Sequence, residues 1–274
     1  MNALPLLLGV VALGACSRAA DGARDGNVHV TTTEYSFDAP ARIPAGVTTF
    51  ELTNRGSKLH ELSLTRLTEG KTLKDFEAVM TSTDSFPSWA IASGGVGAAA
   101  AQGGVNRVTE TLVPGQYVIA CFVPDSNQAP HASRGMLKEL TVVPNADSST
   151  TMAEPNSDVT LAMAEFAFSP TPQFATGHHI VRVENDGTQP HSALLVRLAA
   201  GVTFDSVMKW EAKMTGPTPF QPMGGVTALA PGSHAFFPVD LTPGTYLLLC
   251  FEGDTHDHGK PHLMKGMEKQ FTLS

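Results

Sequence analysis

The sequence predicts an all-β protein of two tandem Greek-key β-sandwich domains, and three observations predict it. The 25 Gly and 19 Pro, with 42% hydrophobic and 16% charged residues, suit short strands joined by turns better than a helical bundle. A length of 274 residues gives each of two domains enough chain to bury its own core. Most telling, the chain repeats itself. Glu34-Tyr35-Ser36-Phe37 falls on Glu165-Phe166-Ala167-Phe168 at an offset of 131, which also pairs Gly46 with Gly177, Asn54 with Asn185 and His60 with His191. Pro114-Gly115-Gln116-Tyr117 then meets Pro243-Gly244-Thr245-Tyr246 at 129, and His131 and Met136 meet His262 and Met267 at 131 again.

Taken in chain order, residues 1–15 are apolar and too short to span a membrane, as in a signal-peptide core. They end in Leu13-Gly14-Ala15-Cys16, which resembles a bacterial lipobox, although no Lys or Arg precedes the apolar run. That resemblance implies export, lipidation of Cys16 and, with Ser17 behind it, anchoring to the outer membrane on its periplasmic side. A polar tether (16–27) follows, then the first domain (28–144), a Pro-bounded polar linker (145–157) and the second domain (158–274). Tether and linker carry no periodicity, so neither is assigned structure.

Strand signals in the first half are Val47 to Leu52, Leu59 to Leu67, Gln116 to Phe122 and Leu137 to Val143. The second half offers His179 to Glu184, Ala193 to Leu198, Tyr246 to Phe251 and Lys269 to Leu273. One helical stretch recurs, Leu73 to Met80 and Phe204 to Met214. Short strands with a single connecting helix indicate a sandwich.

Each half places a His near the start of a mid-domain strand, a Cys at the end of a late strand, then His-x4-Met. The sets are His60, Cys121, His131, Met136 and His191, Cys250, His262, Met267. A thiolate and two imidazoles with a weak axial thioether are what copper electron transfer needs: sulfur suits Cu(I), nitrogen tolerates Cu(II), and a compromise geometry keeps reorganisation small. Singly, each residue has a blander reading, as a core or surface His or a small buried hydrophobe, and Cys121 and Cys250 have a disulfide as their alternative in an oxidising compartment. Four in order, twice in register, favour two metal sites.

These residues resemble the cupredoxins, the family of plastocyanin, azurin and the blue-copper domain of copper nitrite reductase, over nearly all of both halves. The most specific piece is the Pro-Gly-x-Tyr turn leading into Cys and then His-x4-Met. The resemblance implies two type 1 coppers per chain held by the eight residues named. It departs in the Cys-to-His loops, Cys-x9-His and Cys-x11-His, and in Glu61 and Ser192 standing where Asn often follows the first His. It also implies that His131 and His262 are the exposed ligands, ringed by Pro130, Ala132, Pro261 and Leu263 as a docking patch.

Asp254, His256, Asp257 and His258 crowd the second loop and could hold Zn(II) or a second Cu(II), but a solvated loop is the preferred reading. Met264 competes with Met267 for the axial role, and Met267 is preferred because its spacing matches the first half. His29, His178, His179 and His234 are read as structural or surface residues. Nitrite reductases need a His immediately before the ligand Cys, whereas Ala120 and Leu249 stand there; the His-Cys-His run of multicopper oxidases is likewise missing. No nucleophile elbow or phosphate loop is found, and a net charge of -8 argues against nucleic acid. The expectation is a non-enzymatic, exported electron carrier serving a redox protein such as a cytochrome or oxidase and held to the membrane by its lipid. Its rivals are copper delivery, storage or protection, and a copper-free interaction module.

Overall fold

The computed structural model describes residues 26–68, 70–80, 87–146 and 152–274; the expected leader and Cys16 lie outside these, as do most of the tether and the middle of the linker. The first half runs β1 (Asn27–Thr33), β2 (Ser36–Asp38), β3 (Arg42–Pro44), β4 (Gly46–Asn54), β5 (His60–Leu67), α1 (Leu73–Met80), β6 (Ala90–Ala99), β7 (Gly104–Leu112), β8 (Gly115–Ala120) and β9 (Leu137–Val143). The second repeats it as β10 (Val159–Ala164), β11 (Ala167–Thr171), β12 (Gly177–Asn185), β13 (His191–Leu198), α2 (Phe204–Glu211), β14 (Phe220–Leu229), β15 (His234–Leu241), β16 (Gly244–Leu249) and β17 (Glu268–Leu273). Helix α1 has the predicted bounds. Helix α2 opens on a capping box between Thr203 and Ser206 but stops at Glu211, short of Met214, whose φ of 47° is left-handed.

Alternation does what the pattern demands. On β4, Thr48, Phe50, Leu52 and Asn54 turn inward while the residues between them are only partly covered. Tyr117 and Tyr246, from the Pro-Gly-x-Tyr turns, are buried and donate their hydroxyls to Val113 O (2.9 Å) and Thr242 O (2.8 Å), locking each corner into β8 or β16.

The two sandwiches are joined edge to edge. One sheet runs β11-β10-β12-β15-β7-β4-β1-β2 and the other β17-β16-β13-β14-β6-β5-β8-β9-β3, so each sheet passes from one half into the other. Val96 on β6 pairs with Val226 on β14, and the two are equivalent residues of the repeat, so the join has a pseudo-twofold. Thr227 Oγ1 donates to Gly94 O across it (2.5 Å, buried). At the neighbouring join Glu110 faces Ala235, is 4% exposed and has neither carboxyl oxygen hydrogen-bonded. Joining edges in this way removes strand ends that would otherwise recruit other chains. The linker is held too: Glu154 accepts from His234 Nε2 (2.8 Å) and Thr111 Oγ1 (3.2 Å), one residue from each half.

Candidate metal centres

Local backbone structure positions every predicted ligand. His60 opens β5 and His191 opens β13, each after a turn pinned by a fully buried Asn. Asn54 Nδ2 donates to Lys58 O (2.7 Å) and Ala99 O (3.0 Å) while its Oδ1 accepts from Gly56 N (2.9 Å). Asn185 repeats this with Gln189 O (3.0 Å), Leu229 O (2.7 Å) and Gly187 N (3.0 Å). A register shift follows each His, between His60 and Leu62 and between His191 and Ala193. Gly95 and Gly225 make room for it: a Cβ on either, at φ of 119° or 124°, would lie 2.0 Å from Leu62 O or Ala193 O.

The other three residues of each set come from one loop closed by main-chain bonds. Ala132 N reaches Cys121 O (2.8 Å), Met136 N reaches His131 O (3.2 Å) and Cys121 N reaches Met136 O (3.3 Å). Leu263 N, Met267 N and Cys250 N do the same toward Cys250 O (3.0 Å), His262 O (3.0 Å) and Met267 O (3.3 Å). A 3-10 turn carries each second His, His131–Arg134 and His262–Lys265, and ends in a left-handed Gly135 or Gly266. Met136 and Met267 are fully buried behind it. Met264 is 57% exposed.

Donor atoms converge. In the first half Cys121 Sγ lies 3.8 Å from His60 Nδ1 and 3.5 Å from His131 Nδ1, with the two nitrogens 3.2 Å apart. In the second the separations are 3.9, 3.4 and 3.0 Å. All six side chains have no solvent exposure. A trigonal ion with ordinary bond lengths places its donors on the order of 3.5–3.8 Å apart, so each trio has the span of a metal site. The Nε2 atoms of all four imidazoles are buried and point away from the donor cluster, with no hydrogen-bond partner within 3.5 Å. The donor set therefore fits copper. Among the described residues these two trios are the only His/Cys/Asp/Glu groups that could hold a metal, and both cysteines are free rather than joined as a disulfide.

Burial sets the electrostatics. Desolvation, then the neighbouring His131, lowers His60 to about 4; desolvation, then His191, does the same to His262. His131 and His191 are lowered as well, again chiefly by burial. Neutral imidazole is the form that ligates. Burial pushes the Cys121 thiol far above its ordinary range and Cys250 up to about 12, with the carboxyls of Glu61 and Glu252 adding to it. A cation entering either site must displace that proton.

The two halves place these carboxyls differently. Glu61, beside His60, accepts from Phe122 N (3.0 Å). Its counterpart in the repeat is Ser192, which donates instead to Cys250 Sγ, from N at 3.3 Å and from Oγ at 3.7 Å. The second half's carboxyl is Glu252, counterpart of Val123, which lies near Ser192 and the Cys250 thiol. Burial raises both carboxyls to about 7, and Glu252 adds repulsion at Glu61.

One expectation is overturned. His131 and His262 are not exposed; each is covered edge-on by an aromatic ring from the turn after the first strand of its half, Tyr35 or Phe166, with ring centroids 5.1 Å apart in both cases. Ala132 and Leu263, expected in a surface ring, are themselves 2% and 3% exposed. The Glu-aromatic pair was visible as repeat signal but carried no recognisable ligand chemistry. In the crowded second loop Asp254, 2% exposed, pairs with Lys265 and accepts from His256 N (2.8 Å), while the His256 side chain is 76% exposed. His29, His178 and His179 pair with Glu51 (3.1 Å), Asp240 (2.9 Å) and Asp158 (2.5 Å), and His234 with Glu154, consistent with structural or surface roles.

No family profile and no curated protein matches the sequence. Among solved structures, reduced auracyanin from Roseiflexus castenholzii is 18% identical, covering 42% of this chain and 94% of its own, with a TM-score of 0.29. Auracyanin B is 20% identical over 44% of this chain and 93% of its own, with a TM-score of 0.30. A copper-containing nitrite reductase from Thermus scotoductus is 9% identical over 90% of this chain and 61% of its own, with a TM-score of 0.23. Likenesses this weak leave the assignment to the topology and donor geometry of the chain itself. On those grounds its fold is cupredoxin-like, with the unit occurring twice.

Proposed function

We propose that this chain is a copper-binding electron-transfer protein with two type 1 sites, made of His60, Cys121, His131 and Met136 in one half and His191, Cys250, His262 and Met267 in the other. The observation that carries the proposal is the convergence of two Nδ1 atoms and one Sγ within 4 Å in each half, buried and held by main-chain bonds. Copper bound there would supply a one-electron couple. The protein's part is to hold the donors in place before and after the electron moves. Asn54 and Asn185 fix the first His, and the loop bonds fix Cys, second His and Met, so little rearrangement accompanies a change of charge.

Electron transfer rather than catalysis fits Ala120 and Leu249, which provide no bridge from Cys to a second metal. Export, a lipid on Cys16, outer-membrane anchoring and a cytochrome or oxidase as partner belong to this proposal as well. Among the described residues no helix is long and apolar enough to cross a membrane. Copper delivery or storage is the rival reading, and deeply buried, backbone-clamped donors favour retention of the metal over exchange.

An optical spectrum and copper count on the Cu(II)-loaded protein, with Cys121→Ser and Cys250→Ser, test the reading. Two coppers and an intense thiolate-to-copper band, half lost with each variant, are expected. A colourless protein that binds only Cu(I) would transfer the weight to copper handling.

A further inference from the structure

Glu34 and Glu165 occupy the same place in the repeat, in the turn just before the lid aromatics, and both reach the back of the first ligand His. Glu165 Oε1 lies 3.6 Å from His191 Nε2, the ring nitrogen that faces away from Cys250. The carboxylate is held there by Thr188, whose N (2.5 Å) and Oγ1 (2.9 Å) both donate to Oε1. Glu34 is held likewise by Ser57 N and interacts with His60.

A glycine stands between carboxylate and ring in each half. A Cβ on Gly187 would lie 2.7 Å from His191 Nε2 and 2.8 Å from Glu165 Oε1; one on Gly56 would lie 2.8 Å from His60 Nε2 and 3.0 Å from Glu34 Oε1. Any larger residue there would wedge the two apart.

Resting on the copper reading above, we infer that Glu34 and Glu165 are positioning residues that orient His60 and His191 and bias each site toward its oxidised state. Nδ1 faces the donor cluster, so a ligating ring carries its proton on Nε2, toward the carboxylate. A metal-bound imidazole that donates its second N–H to a carboxylate is fixed in tautomer and orientation and is a stronger electron donor. The anion also favours the more positive metal state. Neither Glu touches the metal position, and each acts through its His.

The test is reduction potential, read by optical titration of the copper-loaded protein, with Cys250→Ser isolating the first site and Cys121→Ser the second. Glu34→Gln or Glu165→Gln keeps an acceptor for the turn amide but removes the charge. Each is expected to raise its own site's potential by about 59 mV, a tenfold shift in the Cu(I):Cu(II) ratio for a one-electron couple, and to leave the other half unchanged. Gly187→Ala, which keeps the charge but forces the carboxylate from the ring, is expected to shift the second site the same way by less, and serves if a Glu variant fails to fold. Variants that keep the charge-transfer band with unaltered potentials would overturn the inference and leave the copper reading standing. Absence of the band from the unsubstituted protein would remove both.

Discussion

The two halves build one donor geometry inside two different surroundings. Both close a His-Cys-His trio to within a few tenths of an ångström of each other, through equivalent main-chain bonds and an equivalent buried Asn. Around that trio the halves share Glu34/Glu165 and the Asp125/Asp254 clamp, but place their buried carboxyls and lids differently. The carboxyl near the thiol comes from the strand of the first His in one half and from the Cys loop in the other; the lid is Tyr35 in one and Phe166 in the other. Phe251 (36% exposed) and Met264 lie at the surface of the second half, where the first has Phe122 packed against the α1 side and Ser133. Geometry set by backbone and buried amides is insulated from side-chain change, whereas potential and access depend on the side chains. The halves are therefore expected to bind the same metal and to differ in redox behaviour.

The largest difference between the halves lies away from the metal. Glu110 on β7 occupies the place held by Val239 on β15, and both are buried. Burial lifts Glu110 to about 8, and the nearby Gly95 amide offsets this only in part. Across the strands it faces Thr48 and Ala235, neither ionisable, and its charge adds to the raised Tyr117. An acid whose folded pKa exceeds its unfolded value of 4.5 binds more protons folded, so stability falls as pH rises from about 4.5 to about 8. Glu110→Val, which copies the second half, is expected to abolish this fall and to gain on the order of 3 kcal/mol near pH 7. Denaturant melts from pH 5 to 8 measure it; parallel curves for the two proteins would mean that the carboxyl is not buried in solution.

Next in size are the two asparagines, where the halves should behave alike. Asn54→Ala removes four hydrogen bonds and Asn185→Ala three, and both strand buried main-chain groups. Each should cost about 2–3 kcal/mol in melts and weaken copper binding in its own half only. A loss confined to one half would break the symmetry that the main-chain geometry implies.

The repeat explains what could be read in advance. Ligands, strands β5, β8, β9 and their counterparts, and helix α1 were legible because they combine chemistry-bearing residues or apolar runs with a fixed offset. Strands β6 and β14 were not, since Ser93-Gly94-Gly95-Val96 and Met223-Gly224-Gly225-Val226 read as turns; their glycines are there for the bulge beside the ligand His and for the seam. The fusion of sheets was equally hidden, because edge pairing depends on which strands two halves present to each other. Glu34, Glu165 and the two lids matched across the repeat from the start, yet only the fold brings each carboxylate against a His 26 residues on and each lid over a His 96 residues on.

The lids offer a smaller effect. Tyr35→Ala and Phe166→Ala uncover His131 and His262, and oxidation of the reduced site by ferricyanide, followed by stopped flow, is expected to quicken several-fold in the matching half. Phe166 also carries the Lys265 ammonium 4.6 Å above its ring, and that ammonium stays paired with Asp254 and Asp257 when the ring is removed. The two halves are therefore expected to gain by similar factors. Equal rates before and after would mean that electrons do not pass beneath these rings.

The smallest expected difference is in the clamps that close the copper loops. Asp125 takes Arg134 through Nε (3.1 Å) and Nη2 (2.7 Å) and also accepts from Asn127 N (2.7 Å) and Ala129 N (3.1 Å). In the longer second loop Asp254 takes Lys265, which also reaches Asp257 (3.4 Å). The Lys265 hydrogen bond is the main reason that Asp254 is lowered to about 2, and Arg134 lowers Asp125 in the same way. A depressed carboxyl contributes stability above its unfolded pKa and loses it as pH falls through the folded one. Asp254→Asn should thus be less stable than the unsubstituted protein across pH 5 to 8, with the gap closing between about pH 4 and 2. Because a guanidinium grips with two nitrogens and an ammonium acts as a point charge, Arg134→Lys should loosen the first loop while Lys265→Arg leaves the second intact. Amide hydrogen exchange at Ala129 and at Lys260 reads the two loops separately, and exchange at Ala129 left unchanged by Arg134→Lys would show that charge alone, not the two-nitrogen grip, holds the first clamp.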